Sequence, residues 1–232
     1  MVSNFSDQKI IDSWEKNVEP WVLAVRGREI QSRVLATNPA IVDEVLAGKP
    51  KAVLDIGCGE GWLVRELAAA GVDTLGIDAI PALIASAEKA GGGRFKVLSI
   101  ENLSSHTLGE TFDTLVCNFS LLGKESVDQL FQLAPSLLNE GGSMIVQTVH
   151  PTAGGDERYE DAWREESWVG FTREFSDPAP WYFRTLESWV ALLSSAGLKL
   201  VRLREPRHPE TGRPVSIIFR SIKVSESVDT HR

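Results

Sequence analysis

Residues 53–78 read V-L-D-I-G-C-G-E-G-W-L-V-R-E-L-A-A-A-G-V-D-T-L-G-I-D, and this stretch decides the fold. The apolar run from Ala52 to Ile56 has the length of a buried strand. It turns through Gly57, Gly59 and Gly61 and passes into Trp62 to Ala70, which carries helical periodicity and stops at Gly71. A second apolar run, Thr74 to Ile77, ends in Asp78. Strand, glycine turn, helix and strand make a unit that binds ligands at the carboxyl edge of an open parallel sheet, where glycines let backbone approach a ligand closely. A dinucleotide fingerprint needs its third glycine three residues after the second. Trp62 stands there instead, so the glycines fall as G-x-G-x-G. Asp55, two residues before the first glycine, would repel a pyrophosphate and attract an ammonium. Asp78 closes the second strand, where a carboxylate can accept hydrogen bonds from both hydroxyls of a ribose.

Outward from this unit the alternation continues to Met144, which implies a parallel sheet covered on both faces. The pattern predicts a helix from Ile80 with Pro81 in its first turn, then strands at Phe95–Ile100 and Phe112–Cys117. A helix follows, with Ser126 and Gln129 as a capping box and a kink at Pro135, and then a strand at Ser143–Val149. A helix over Leu186–Ala196, with Thr185 as N-cap, precedes two last strands at Leu198–Arg204 and Val215–Ile222. Residues 1–49 read as a helical cap, with Trp14 and Trp21 on apolar faces and a helix start at Asn38-Pro39. Residues 50–224 read as one domain and residues 225–232 as a frayed tail. Within the domain, residues 151–184 form a long insertion rich in aromatics, among them Trp163, Trp168, Phe171, Trp181, Tyr182 and Phe183. Its length points to a lid or substrate-side insertion, or to a decoration packed on the sheet.

Composition excludes several classes of function. With 232 residues, 43% hydrophobic and 24% charged, the chain has globular proportions. Its 24 basic against 32 acidic residues give a net charge of −8, the wrong sign for a protein held on phosphate backbones. The expectation is no nucleic-acid partner. Two cysteines, Cys58 and Cys117, make no disulfide framework, and no Cys/His cluster has zinc spacing, so no metal is expected. The opening residues lack a signal-peptide pattern and no apolar stretch could span a bilayer, which reads as a cytoplasmic protein without membrane contact. Oligomeric state is not encoded in any visible pattern.

The stretch V-L-D-I-G-C-G-E-G-W-L followed by G-I-D-A resembles motifs I and II of the class I S-adenosylmethionine-dependent methyltransferases. Within them it is most similar to small-molecule enzymes related to the ubiquinone-biosynthesis O-methyltransferases. The resemblance covers residues 50 to 150 well and extends more loosely to 222. It implies a Rossmann-like, doubly wound, seven-stranded and mostly parallel sheet with an antiparallel last strand. It implies S-adenosylmethionine as cofactor and S-adenosylhomocysteine as product. Carried over residue by residue, it places the methionine part of the cofactor over Gly57, Cys58, Gly59 and Gly61, with Asp55 near the ammonium. Asp78 takes the ribose hydroxyls and Ala79 flanks the adenine. Ser99 and Ile100 fall in the adenine-binding segment after the third strand, Ser99 where the family usually has an acid. Asn118 and Phe119 fall where a backbone carbonyl and a wall residue meet the sulfonium. The cofactor carboxylate needs a cation, for which Arg33 is the candidate and Arg26 the alternative.

The acceptor is expected to be a small molecule. N-F-S-L after the fourth strand lacks the proline-containing turn of the enzymes that methylate DNA bases and glutamine. Trp14, Trp21, Arg26, Trp181 and Tyr182 are the candidate acceptor-side residues. His150, just past the fifth strand at the same edge, is the candidate general base, with substrate binding or loop anchoring as the other readings. Two other functions are compatible with the sequence. One is a nicotinamide-dependent oxidoreductase, which the glycine spacing and Asp55 oppose. The other is a non-catalytic S-adenosylmethionine-binding protein.

Overall fold

In the computed structural model, which describes residues 5–152, 158–165, 167–168 and 173–224, side chains alternate across the central strands as a two-faced sheet demands. Leu54, Leu115, Val146 and Phe219 join one core cluster with Leu130, Phe131 and Trp189. Their neighbours Val53, Val116, Ile145 and Ile218 join a second with Ile41, Val45, Leu63 and Leu67. Helices therefore cover both faces, and the central strands are buried over most of their length.

The chain begins with α1 (Asp7–Lys16), α2 (Val18–Arg26) and α3 (Asn38–Ala47). The first two units are β1 (Ala52–Ile56), α4 (Trp62–Ala69), β2 (Asp73–Asp78) and α5 (Pro81–Ala90), with Pro81 in the first turn of α5 as expected. Then come β3 (Arg94–Val97), a 3₁₀ turn over Ile100–Asn102, α6 (Ser105–Leu108), β4 (Phe112–Asn118), α7 (Glu125–Leu137) and β5 (Leu138–Val149). After β5, β6 (Ala162–Arg164) and β7 (Trp181–Phe183) pair antiparallel as a separate ribbon. The chain ends with α8 (Leu186–Ser195), β8 (Leu198–Arg204) and β9 (Ser216–Lys223). The main sheet has seven strands in the order β3-β2-β1-β4-β5-β9-β8, and only β9 runs antiparallel to its neighbours. This is the doubly wound, seven-stranded architecture that the sequence implies.

Several local expectations are corrected. No capping box forms between Ser126 and Gln129. α7 starts at Glu125, and its first amides donate instead to Asp7 of α1, from Lys124 N at 2.9 Å and Ser126 N at 2.7 Å. Asn38 does not start its helix afresh: a π-helical turn over Arg33–Thr37 runs directly into α3. Strand β3 stops at Val97 rather than Ile100, because the chain there curls into the 3₁₀ turn. Thr185 does cap α8, its hydroxyl accepting from Ser188 N at 3.2 Å. Residues 225–232 and Phe171 lie outside the described residues.

The N-terminal helices and the insertion are tied to each other. Asp177, in left-handed backbone at φ 46°, pairs with Lys9 and, at 2.5 Å, with Lys16. Asn17, 1% exposed, donates to Ser176 O at 2.7 Å and accepts from Ser176 N at 2.9 Å. Arg173 pairs with Glu29, while Trp168 packs edge-on against Trp14 with centroids 5.8 Å apart.

Candidate active site

The strands of this sheet deliver their polar ends to one edge, and there a cavity opens under α1 and α2. Its floor is the turn after β1. Gly57 and Gly61 adopt φ of +74° and +81°, where any other residue is strained. Gly57 also lies against the side chain of Ser120, and a Cβ at Gly61 would stand 2.6 Å from the ring of Phe95. The glycines thus let the turn press into β3 and the loop after β4. Gly57, Cys58 and Gly59 line the cavity, whereas Gly61 is turned into the packing between α4 and β3.

Asp78, at the end of β2, lines the cavity and holds the turn in place. Its Oδ2 accepts from Gly59 N and its Oδ1 from Ile80 N, each at 2.9 Å. Burial raises its pKa, and these backbone donors counter part of that rise. Ala79, Ser99 and Ile100 follow along the wall, and Ser99 Oγ accepts from Asn102 Nδ2 at 3.1 Å. Asn118 and Phe119 close the opposite side. Phe119 sits at φ +56°, a conformation costing a bulky residue on the order of 1–3 kcal/mol, and it is held by its N–H to Gln147 O at 2.8 Å.

Two groups here lack the partners that burial demands. Asp55 is 2% exposed, and its Oδ1 has no hydrogen-bond partner. Burial, aided by the charge of Asp78 and opposed by Arg33, raises its pKa to about 8. Arg33 leaves the first position of the π-helical turn to line the cavity, its guanidinium 5.2 Å from the Trp21 ring and 5.3 Å from the Trp62 ring. Burial lowers its pKa to about 10, and it forms no ion pair with a described carboxylate; its polar contact is Asn38 Oδ1 at 3.3 Å. Arg33 lines the cavity and can meet a ligand's carboxylate, whereas Asp55 is not among the lining residues and stands behind Ile56 and Gly57. Arg33 therefore fits the carboxylate at the amino-acid end of S-adenosylmethionine.

Arg26 does not serve that purpose. It pairs with Glu60 at 2.7 Å and donates to Ser86 O, outside the cavity wall. Glu60, whose side chain is fully buried, also pairs with Arg65 at 2.6 Å. Sequence reading passed over Glu60, although an acid inside a glycine turn, with arginines before and after it, is a visible hint of such a clamp.

Among the acceptor-side candidates, Trp14 and Trp21 line the cavity, packed edge-on with centroids 5.0 Å apart. Trp181 and Tyr182 do not line it. Tyr182 donates its backbone N–H to Leu122 O at 2.7 Å, which ties the ribbon to the loop after β4, and its ring lies near Arg184 and edge-on to Trp163, while Trp181 lies against Arg164 within the ribbon.

His150 is likewise outside the wall. Its Nδ1 accepts from the Thr152 N–H at 3.2 Å, so the ring proton sits on Nε2 and is donated to Glu205 Oε1 at 2.9 Å. The imidazole lone pair is occupied, and the residue is 8% exposed. A general base must present a free lone pair to its substrate, so this arrangement corresponds to the loop-anchoring reading. Cys58, raised in pKa by burial, and Cys117, 0% exposed, are neutral packing groups. No cluster of metal-ligating side chains occurs among the described residues.

A family model described as a methyltransferase domain matches residues 28–203. The chain belongs to this methyltransferase family. A ubiquinone biosynthesis O-methyltransferase of Xanthomonas euvesicatoria pv. vesicatoria is 31% identical over 132 residues, 53% of this chain and 54% of that protein. The chain thus spans about half the length of the curated relatives it matches. Among solved structures, an S-adenosylmethionine-dependent methyltransferase from Mesorhizobium loti superposes with a TM-score of 0.60 at 19% identity, covering 78% of this chain and 97% of that one. A glycopeptide N-methyltransferase complexed with S-adenosylmethionine gives 0.63 at 14% identity, covering 80% and 87%. The methyltransferase's fold is accordingly the one that S-adenosylmethionine-dependent enzymes take. Among its described residues, no helix is long and apolar enough to cross a membrane.

Proposed function

We propose that this methyltransferase transfers the methyl group of S-adenosylmethionine to an oxygen or nitrogen of a small-molecule acceptor. One observation supports the reading: Arg33 lines the cavity with its guanidinium between two indole rings and pairs with no described carboxylate, and behind the lining residues Ile56 and Gly57 a buried carboxyl oxygen of Asp55 has no partner. When bound, the cofactor supplies a methyl group on a positively charged sulfur. Arg33 would hold its carboxylate and Asp55 would face its ammonium, while Asp78 would accept from the ribose hydroxyls with its remaining lone pairs. Ile100 would offer its backbone N–H to the adenine, with Ala79 and Ser99 flanking it, and the Asn118 carbonyl would meet the ammonium from the other side. Trp14, Trp21 and Phe119 enclose the reacting region and keep water from it, which favours a step in which positive charge disappears. On this reading residues 1–49 and the 151–184 insertion act together as the acceptor-side cover.

Calorimetry with S-adenosylmethionine, S-adenosylhomocysteine and NAD tests the reading. The first two should bind and NAD should not; affinity for NAD alone would replace methyl transfer by nicotinamide chemistry. Incubating a lysate with isotope-labelled methyl donor and this protein should then label a small molecule. Tight cofactor binding without any labelled product would favour a non-catalytic binding protein.

A further inference from the structure

The N-terminus of a long helix is a natural receptor for anions, because its first amides point outward without partners. α7 is 13 residues long, and its first turn, with Gly123 and Ser126, lines the same cavity. That receptor is already filled. Asp7, reaching across from α1, accepts the amides of Lys124 and Ser126 with its two carboxylate oxygens. A Cβ at Gly123 would stand 2.6 Å from Asp7 Oδ2, so the glycine makes room for this carboxylate.

Around Asp7 the wall is apolar, formed by Ile10, Ile11, Trp14 and Leu122. The charged side chains lining the cavity are Asp7, Arg33, Glu60, Asp78 and Glu101. Four of the five are acids. Glu60 is neutralised by Arg26 and Arg65, and Arg33 is enclosed between the rings of Trp21 and Trp62. Among the described residues, the part of the cavity under α1 therefore offers apolar contact, one carboxylate and no lining cation.

We infer that the acceptor of this methyltransferase is an apolar or planar molecule that is neutral or cationic at neutral pH, and that Asp7 excludes carboxylates, sulfates and phosphates by occupying the helix terminus that would bind them. This inference rests on the methyl-transfer reading for the meaning of the site, but its test does not. An anionic head group brought under α1 would meet Asp7 with no cation among the described lining residues there to offset it, and the first amides of α7 would not be free to receive it.

The probes are 2-naphthol, 2-naphthylmethylamine and 2-naphthoate, matched in shape and different in charge, titrated calorimetrically into the full chain with and without saturating S-adenosylhomocysteine. The neutral and cationic probes should bind, and 2-naphthoate should bind at least tenfold more weakly. Asp7→Asn should narrow that gap to less than threefold. Ile11→Lys keeps the Asp7 carboxylate and adds a cation to the wall, so it should strengthen 2-naphthoate and answers the question if Asp7→Asn does not fold. Failure of S-adenosylhomocysteine to bind would count against the methyl-transfer reading alone. Binding of 2-naphthoate within threefold of 2-naphthol, no binding by any probe, or an undiminished gap in Asp7→Asn would each overturn the inference.

Discussion

The floor and the roof of the cavity are held by different physics. The floor is set by steric fit and backbone bonds: Gly57 and Gly61 pressed against neighbouring side chains, the turn clamped by Asp78, and β1 paired on both sides within the sheet. The roof is joined to its surroundings by side-chain contacts between distant segments, such as Asp177 with Lys9 and Lys16, Asn17 with Ser176, and Asp7 with α7. Close packing tolerates no added atom, whereas exposed ion pairs contribute little and are screened by salt. A substitution that adds atoms to the floor should therefore disturb the whole fold, and one in the roof should act locally.

The largest effect is expected from Gly61→Leu. It combines a left-handed backbone with a side chain forced into Phe95, and should cost about 3–5 kcal/mol in denaturant unfolding. A loss below 1 kcal/mol would mean the floor is not sterically set.

Asp55→Asn comes next and separates stability from binding within the floor. Burial raises the folded pKa of the Asp55 carboxyl to about 8 from its ordinary 3.8. The unfolded chain thus ionises it first, and the stability associated with the protonated form is present below about pH 4 and lost as pH rises toward 8. The variant should match the parent near pH 4 and become progressively more stable, by about 1–3 kcal/mol at pH 8, while binding S-adenosylmethionine roughly tenfold more weakly. Thermal melts across pH 4–8 and calorimetry check both halves.

For the roof, Asn17→Ala removes the paired bonds to Ser176 and should cost about 1–2 kcal/mol. Proteolysis should then cleave the 151–184 segment faster while the sheet resists as before. Smallest of all, Lys16→Ala should leave the melting temperature unresolved from the parent, and any effect on cleavage of the segment should vanish at high salt.

The same division explains what was legible in the sequence. β1, the glycine turn, α4 and Asp78 follow one another within 27 residues, so their spacing records their geometry. The turn and Asp78 could therefore be placed at one sheet edge from spacing, while their roles toward a cofactor, and the preference for Arg33 over Arg26, came from resemblance alone. The π-helical turn that presents Arg33 leaves no pattern of its own, and Asn38-Pro39 resembles an ordinary helix start. Asp7 meets Lys124 across 117 positions, and no local signal announces such a contact. Ser126 and Gln129 looked like a self-sufficient cap for α7 because the spacing was right, yet a carboxylate from another helix took the amides. His150 was placed at the correct edge by its strand, but the direction of its ring was settled by Thr152 and Glu205, the latter 55 residues away. Trp181 and Tyr182 were read as pocket rings because aromatic composition cannot distinguish lining from anchoring.

The opposed pair of Asp55 and Arg33 also bears on the life of the protein before any reaction. An acid kept from ionising and a guanidinium enclosed by two indoles leave the unliganded core incompletely neutralised. On the proposed reading a zwitterionic ligand completes it, and a ligand bound by the folded chain alone shifts the folding equilibrium in proportion to the logarithm of its concentration. The amount of folded enzyme would then rise and fall with the supply of methyl donor, which makes the cofactor a regulator of the protein's lifetime as well as a reactant.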